Sequence, residues 1–455
     1  MQLFSTTRSK AIPIFFVTKN DLKSWMSGQS EKTKRWLNLS KFSGAQGEIC
    51  LVPEINGNLA KVVVGGSNPI EVWDAGSLAM KLPKGKYVFS NLGKQSDLDK
   101  AILGWALGSY SFEKYKKREP IQTKLYIPPK YDRRKNMETV SATFLVRDLI
   151  NTPTEDMGPS DLEKASRALA GRHNAKIKVI KGDKLLSANF PAIHAIGRSS
   201  EDLPRIIDIN WGNQKKPEVV LVGKGVCFDT GGLNIKPASG MKLMKKDMGG
   251  AAHVLGLASM IMGLKAPIKL RVLIPVVENS ISGNSIRPLD VIESRSGKTI
   301  EIGHTDAEGR VILADALTEA VSRKPSLVID FATLTGAARV ALGAEVPALF
   351  SNNDSLADCI VGSGKTQQDP LWRLPLWPDY RRHILGKVGD LTNSPETGFG
   401  GAITAALFLQ EFVGTEIPWA HIDLMAWNTG NRIGRPEGGE AMGMRAIYHA
   451  ILDWV

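Results

Sequence analysis

Between residues 218 and 332 the chain alternates apolar, β-branched runs with segments of helical period, and nothing else in it constrains the fold as tightly. EVVLVGKGV is followed by a helical pattern from about Met248 to Leu264, then by KLRVLIPVVE, TIEIGH, a second helical pattern from Arg310 to Lys324, and SLVIDFATL. Continuous apolar runs belong to strands buried on both faces, the situation of parallel strands covered by helices. The expected fold class is therefore α/β, with a mostly parallel sheet flanked by helices in the C-terminal part. Residues 1 to about 135 mix short strand-like runs (AIPIFFV, KVVVGG, KYVFS) with a helical pattern from Asp97 to Leu107, and end in the turn-rich, basic YIPPKYDRRKN. We read 1–135 as a smaller N-terminal α/β domain and 136–455 as a larger second domain, in keeping with a length at which single cores stop growing. From Thr139 a helical pattern leads through FLVRDLINTP into MGPSDLEKASRALAG, where Ser160 followed by Glu163 reads as a capping box.

Composition excludes several classes. Apolar residues at 43% and charged residues at 23% are ordinary for a globular chain and rule out a disordered or fibrous one. The three cysteines, Cys50, Cys227 and Cys359, are far apart, so neither a disulfide framework nor a zinc ribbon is supported, and a reducing, cytoplasmic setting is expected. The N-terminal apolar run is short, interrupted by Pro13 and without a small-residue cleavage site, which reads as a strand and not as a signal peptide. The longest weakly polar stretch, Gly249 to Leu264, is shorter than the roughly 18 residues of a membrane span and carries His253. The formal charge of +12 is spread along KTKR, KYKKR and DRRK without interleaved aromatics. It reads as a solvated basic surface in preference to a nucleic-acid footprint.

The acidic residues of the second domain fall where chemistry gathers in parallel sheets, beyond the carboxyl ends of strands. Asp229 follows the strand that ends near Val226, Asp247 immediately precedes a helix, and Asp306 and Glu308 follow the run Thr299 to His304. Converging carboxylates push one another's pKa upward unless cations compensate. Two divalent ions would compensate and would also activate water and polarise a carbonyl. A ligand set of oxygens with no cysteine suits Mn²⁺, Zn²⁺ or Mg²⁺. Lys224, Lys236 and Arg310 are interleaved with these acids. Each lysine either coordinates a metal as a neutral amine or faces substrate charge. Taken singly, each of these residues has an ordinary explanation as a cap, a turn or a solvated charge; together they point to a site.

Two long segments, VGKGVCFDTGGLNIKPASGMKLMKKDMGGAA (222–252) and HTDAEGRVILADAL (304–317), resemble the two signatures of the leucyl aminopeptidase family. The similarity runs from RDLINTP through DFATLTGA and GGAITAALFLQEF to WAHID, and covers roughly residues 145–455. The resemblance implies a metal-dependent aminopeptidase whose catalytic domain is 136–455. Carried over position by position, it implies metal ligands at Lys224, Asp229, Asp247, Asp306 and Glu308, with Asp229 and Glu308 shared between two ions, Mn²⁺ or Zn²⁺. It implies catalytic roles for Lys236, which would stabilise the developing oxyanion, and for Arg310, which would hold a bicarbonate ion near the scissile bond. It further implies peptide substrates and a homohexamer assembled through the N-terminal domain. Met244, Thr333 and Leu334 match positions around the first substrate side chain. Their character suits a neutral residue such as leucine, and equally suits plain core.

The sequence also departs from the family. His304 stands where the family usually has Asn; it could ligate metal, orient Asp306 as a hydrogen-bond donor, or simply pack, and the second role is expected. Lys242 and Lys246 also differ from common family choices, and both read as solvated charges. Other readings are a DNA-binding accessory protein on a peptidase scaffold, motivated by the charge, and an inactive homologue. Complete retention of the carried-over positions argues against the last. A two-metal phosphatase is disfavoured because no phosphate-cradling loop is evident.

Overall fold

In the computed structural model residues 3–455 are described, and the chain divides into two compact units. One is Met1–Phe144 with Gly430–Glu437, and the other is Leu145–Thr429 with Gly438–Val455. The division falls inside the helix Arg134–Asn151. This helix starts ahead of Thr139 because the Asp132 side chain accepts from the Arg134 N–H (2.9 Å) and caps it, so the end of the basic run is helical.

In the first unit AIPIFFV, KVVVGG and KYVFS all form strands. They belong to a six-stranded sheet in the order Phe4–Ser5, Thr123–Tyr126, Gly85–Phe89, Ile12–Val17, Leu59–Gly65, Ile49–Pro53. Only the last pair is antiparallel. Ile14, Val62, Val64, Tyr87 and Leu125 form its core with Trp105 from the helix Gln95–Leu107.

The second unit is built on a nine-stranded sheet. Its centre is four parallel strands in the order Trp419–Asp423, Leu327–Ala332, Glu218–Gly223, Lys269–Asn279. Antiparallel strands enter toward the edges, at Ala348–Ser351, Arg205–Gly212 and Lys176–Lys181. Every residue of Leu327–Ala332 is buried, as a strand covered on both faces requires. Val220 and Val222 share one core cluster with Val311, Ile312 and Ala316 of the helix Glu308–Val321. Gly223 points to the alternate face; a Cβ there would stand 2.5 Å from Val254 Cγ2 of the helix Gly249–Gly263, so that helix covers the other side. Among the described residues no helix is long and apolar enough to cross a membrane.

Three local expectations are corrected. TIEIGH contributes only Thr299–Glu301 as strand, and this strand lies in a separate three-stranded sheet with Val291–Glu293 and Leu391–Thr392. Unlike LVIDFA, the run alternates polar and apolar residues, which suits a small one-sided sheet. The following helix begins at Glu308, two residues before Arg310, and ends at Val321. The helix Pro159–Arg172 is not capped by Ser160, because Asp202 takes both the Ser160 N–H and its hydroxyl at 2.7 Å. Pro159 occupies the first helical turn, and the cap moves back to Gly158, whose N–H donates to Asp161 (3.3 Å).

Candidate functional site

The site is assembled where the parallel strands end. At Gly223 the chain stops pairing with Leu327–Ala332 and resumes as Gly225–Asp229 beside Val276–Asn279. Lys224 stands at this switch, its N–H donating to Phe331 O (3.0 Å) and its carbonyl accepting from Ala251 N (2.8 Å). Gly250 permits the close approach, since a Cβ there would lie 2.1 Å from Phe331 O. After Asp229 the chain reverses through Gly231 and Gly232 at φ +90 and +63, a region that favours glycine. Lys236 N then donates back to Thr230 O (2.9 Å). Asp247 lies in the short turn Met244–Met248 that leads into Gly249–Gly263. Glu308 is the first residue of its helix, where the backbone favours negative charge.

These elements bring Lys224, Asp229, Lys236, Asp247, Asp306, Glu308 and Arg310 around one cavity of about 370 Å³. Lys224 Nζ lies 2.8 Å from Asp247 Oδ2 and 3.1 Å from Glu308 Oε1, and donates to Thr333 O (3.0 Å). Lys236 Nζ pairs with Asp229 Oδ2 at 2.9 Å and with Asp306 Oδ1. Carboxylate oxygens of Asp229, Asp306 and Glu308 all lie within 4.8 Å of one another. Asp229 Oδ1 is held by Asn279 Nδ2 (2.8 Å) and Gly231 N (2.9 Å), which leaves Oδ2 turned to the lysine.

The electrostatics follow from burial. Glu308 is pushed well up from the usual carboxylate range by desolvation and by Asp229, and Asp229 is raised by desolvation and by Asp247. Burial would raise Asp247 too, but Lys224 and Lys246 outweigh it and hold that carboxyl low. Burial opposes the charge of Lys224, yet Asp247, Glu308 and Asp229 keep its ammonium protonated above the ordinary lysine value. Four carboxylates converge in this cavity, and Glu308 Oε2 is buried without a hydrogen-bond partner among the described residues. An orphaned carboxylate oxygen beside converging carboxylates is an environment a divalent cation completes, and the oxygen-rich donor set suits a hard or borderline ion. Arg310 is also buried; desolvation brings its guanidinium down to about 10, and its Nε and Nη1 lack partners among the described residues.

Met244, Thr333 and Leu334 line the same cavity. Thr333 does more than line it, for its hydroxyl donates to Asp247 Oδ1 (2.8 Å). His304 reaches Asp306, but as an acceptor: its Nδ1 receives the Asp306 backbone N–H (3.1 Å), which corrects the expected donor role toward the carboxylate. Lys242 is exposed as expected, whereas Lys246 is buried and lines the cavity. It is carried inward together with Asp247 and Met248, the three consecutive buried residues of the turn Met244–Met248. Sequence reasoning missed the residues that brace the loops. Asn393 clamps residues 303–307 through Gly303 N (2.8 Å), His304 N (3.2 Å), His304 O (2.9 Å) and Ala307 O (3.2 Å). Thr305 and Asn234 tie the two acidic loops together (Asn234 N to Thr305 Oγ1, 2.8 Å). Asp423 holds the loop after Ala332 through Leu334 N (3.0 Å) and the Thr335 hydroxyl (2.6 Å). Asp423 stands at the carboxyl end of the strand WAHID, the one signal that could have marked it.

A two-unit α/β chain with lysines and carboxylates gathered at the carboxyl ends of parallel strands belongs, as a class, with proteins that do polar chemistry at a strand-end site. Residues 144–448 match the cytosol aminopeptidase family, catalytic domain, and residues 12–128 match the M17 aminopeptidase N-terminal domain. The chain is a member of the cytosol aminopeptidase family. It is 43% identical over 316 residues to a probable cytosol aminopeptidase of Roseiflexus castenholzii, a match that takes in 68% of this chain and 64% of that protein's length. The crystal structure of a cytosol aminopeptidase from Coxiella burnetii is similar over 98% of both chains, with a TM-score of 0.95 and 50% identity. The bottromycin maturation enzyme BotP in complex with Mn is similar over 98% of this chain and 99% of its own, with a TM-score of 0.88 and 30% identity.

Proposed function

We propose that the chain is a metal-dependent aminopeptidase that hydrolyses the first peptide bond of its substrates. One observation carries this reading: in a member of this family, Asp229, Asp306 and Glu308 converge within 4.8 Å in a cavity that also holds Lys224, Lys236, Asp247 and Arg310. Lys224, Asp229, Asp247, Asp306 and Glu308 would hold two divalent ions, Mn²⁺ or Zn²⁺. Such ions would supply a nucleophile from water at neutral pH, polarise the scissile carbonyl and take the free α-amine as a ligand.

The chain's own residues do the rest. Lys236, held by Asp229 and Asp306, presents a fixed ammonium to the negative charge that develops on the carbonyl oxygen. Arg310 offers two buried N–H groups without partners among the described residues and would hold a bicarbonate ion there, which would supply general acid–base chemistry. Lys224 would have to lose a proton to serve as a ligand, a shift that adjacent dications would supply. Met244, Thr333 and Leu334 line the space for the first side chain.

The test is hydrolysis of aminoacyl amides and their N-acetylated counterparts with Mn²⁺, with Zn²⁺ and with chelator. Release is expected only with metal and a free α-amine, and Asp247→Ala is expected to abolish it. Equal turnover of the N-acetylated series, or undiminished turnover in chelator, would refute the reading.

A further inference from the structure

Two charged groups in the cavity, Lys246 and Arg339, have no part in the reaction proposed above. Lys246 lies in the turn Met244–Met248 and is 1% exposed. Its neighbour Lys245 is accounted for, donating to Asn151 O (2.7 Å) with its ammonium 5.4 Å from the centroid of the Trp427 ring. Lys246 lines the cavity instead, and its Nζ is buried with no hydrogen-bond partner among the described residues. A buried ammonium without a partner is among the costliest groups a fold can keep.

The nearby acids are already engaged. Asp247 gives Oδ2 to Lys224 (2.8 Å) and Oδ1 to Thr333 (2.8 Å). Asp423 gives its oxygens to Leu334 N (3.0 Å) and to Thr335 Oγ1 (2.6 Å). The remaining charged neighbours are cations, Arg339 and Lys224, and both line the same cavity. Two residues before Lys246 stands Met244, which lines the cavity with Leu334. Apolar walls with a buried cation fit an aliphatic stem that ends in a carboxylate. Leucine, the residue suggested by Met244 and Leu334 alone, would leave Lys246 dry and unpaired.

We infer that the cavity selects an acidic N-terminal residue, glutamate or aspartate, and that Lys246 is the specificity residue that receives its side-chain carboxylate. This rests on the aminopeptidase reading and names the substrate class of that same site. Glutamine is the informative competitor, because it has the shape of glutamate without the charge.

The dipeptides Glu-Ala, Gln-Ala and Leu-Ala are to be compared with the Mn²⁺-loaded protein. The kcat/KM for Glu-Ala is expected to exceed that for Gln-Ala by about tenfold or more, the scale of a charge-assisted hydrogen bond over a neutral one. Lys246→Met is expected to bring that ratio to about one or below, and Lys246→Arg to keep it above one. Calorimetric binding of free L-glutamate against free L-glutamine to the unmodified protein gives a second readout that needs neither turnover nor a variant that folds, with glutamate the tighter. Gln-Ala or Leu-Ala turned over as well as Glu-Ala would overturn the acidic preference and leave the aminopeptidase reading standing. A preference for Glu-Ala that survives in Lys246→Met would remove Lys246 from the role. Hydrolysis of none of the three would overturn both.

Discussion

At the scale of single residues, the position of the Lys224 amine depends on a glycine as much as on its own partners. Gly309 follows Glu308 in the first helical turn, and a Cβ there would lie 2.4 Å from Lys224 Cε and 2.9 Å from its Nζ. The clashing atoms are the far end of a flexible side chain, so Gly309→Ala is expected to fold but to push the amine away from Asp247 and Glu308. A displacement of this order at a reacting centre costs about 10²-fold in rate. Steady-state assays are expected to show that loss in kcat/KM beside an unchanged circular dichroism spectrum; near-normal activity would count against a working role for Lys224. At this scale the sequence was legible in part. The motif residues carry their chemistry in their identity, and the structure brings them to one cavity. Lys242 and Lys246 look alike in the run MKLMKKD, yet one is exposed and the other buried. The difference comes from their places: Lys242 caps the end of the short helix Ala238–Met241, whereas Lys246 lies in the turn that carries Asp247 inward, which periodicity does not encode.

At the scale of elements, the main sheet was legible because its central strands are continuous apolar runs, the signature of burial on both faces. The small sheet was not. Thr299–Glu301 is too short and too alternating to stand out, and its partner Leu391–Thr392 comes from about ninety residues further along. Its function is to present the loop bearing Asp306 and Glu308, and Asn393, one residue past that partner strand, satisfies four backbone groups of the loop. Asn393→Ala would remove four part-buried hydrogen bonds, each worth about 0.5–1.5 kcal/mol net. The expectation is a lower urea midpoint together with a reduced kcat/KM, since the same loop carries two of the proposed ligands. Loss of stability with full activity would show that the loop keeps its shape without the clamp.

At the scale of the whole molecule, acid acts on a chain that already carries a formal charge of +12, and one buried histidine makes it more sensitive. His253 sits inside the helix Gly249–Gly263, stacked on Phe331, with Nδ1 2.6 Å from Gly249 O and Nε2 accepting from Met442 N (2.9 Å). Both ring nitrogens are committed to the neutral form. Burial brings the imidazole down to about 4 from 6.5, against the opposing pull of the Gly249 carbonyl and the acids Asp369 and Glu440. Between those two values the unfolded chain binds the proton that the folded chain refuses, so stability is full above pH 6.5 and falls as pH drops toward 4. Across that window the histidine accounts for roughly 3 kcal/mol, a sizeable part of the stability a domain has to spare. His253→Gln removes the titrating group. It is expected to be less stable at neutral pH, because one amide cannot reach both backbone partners, yet to lose about 3 kcal/mol less than the parent on acidification. Urea unfolding of both proteins at pH 7 and pH 4 measures the difference. Parallel losses would mean that carboxylates and general charge repulsion, and not this imidazole, set the acid limit of the fold.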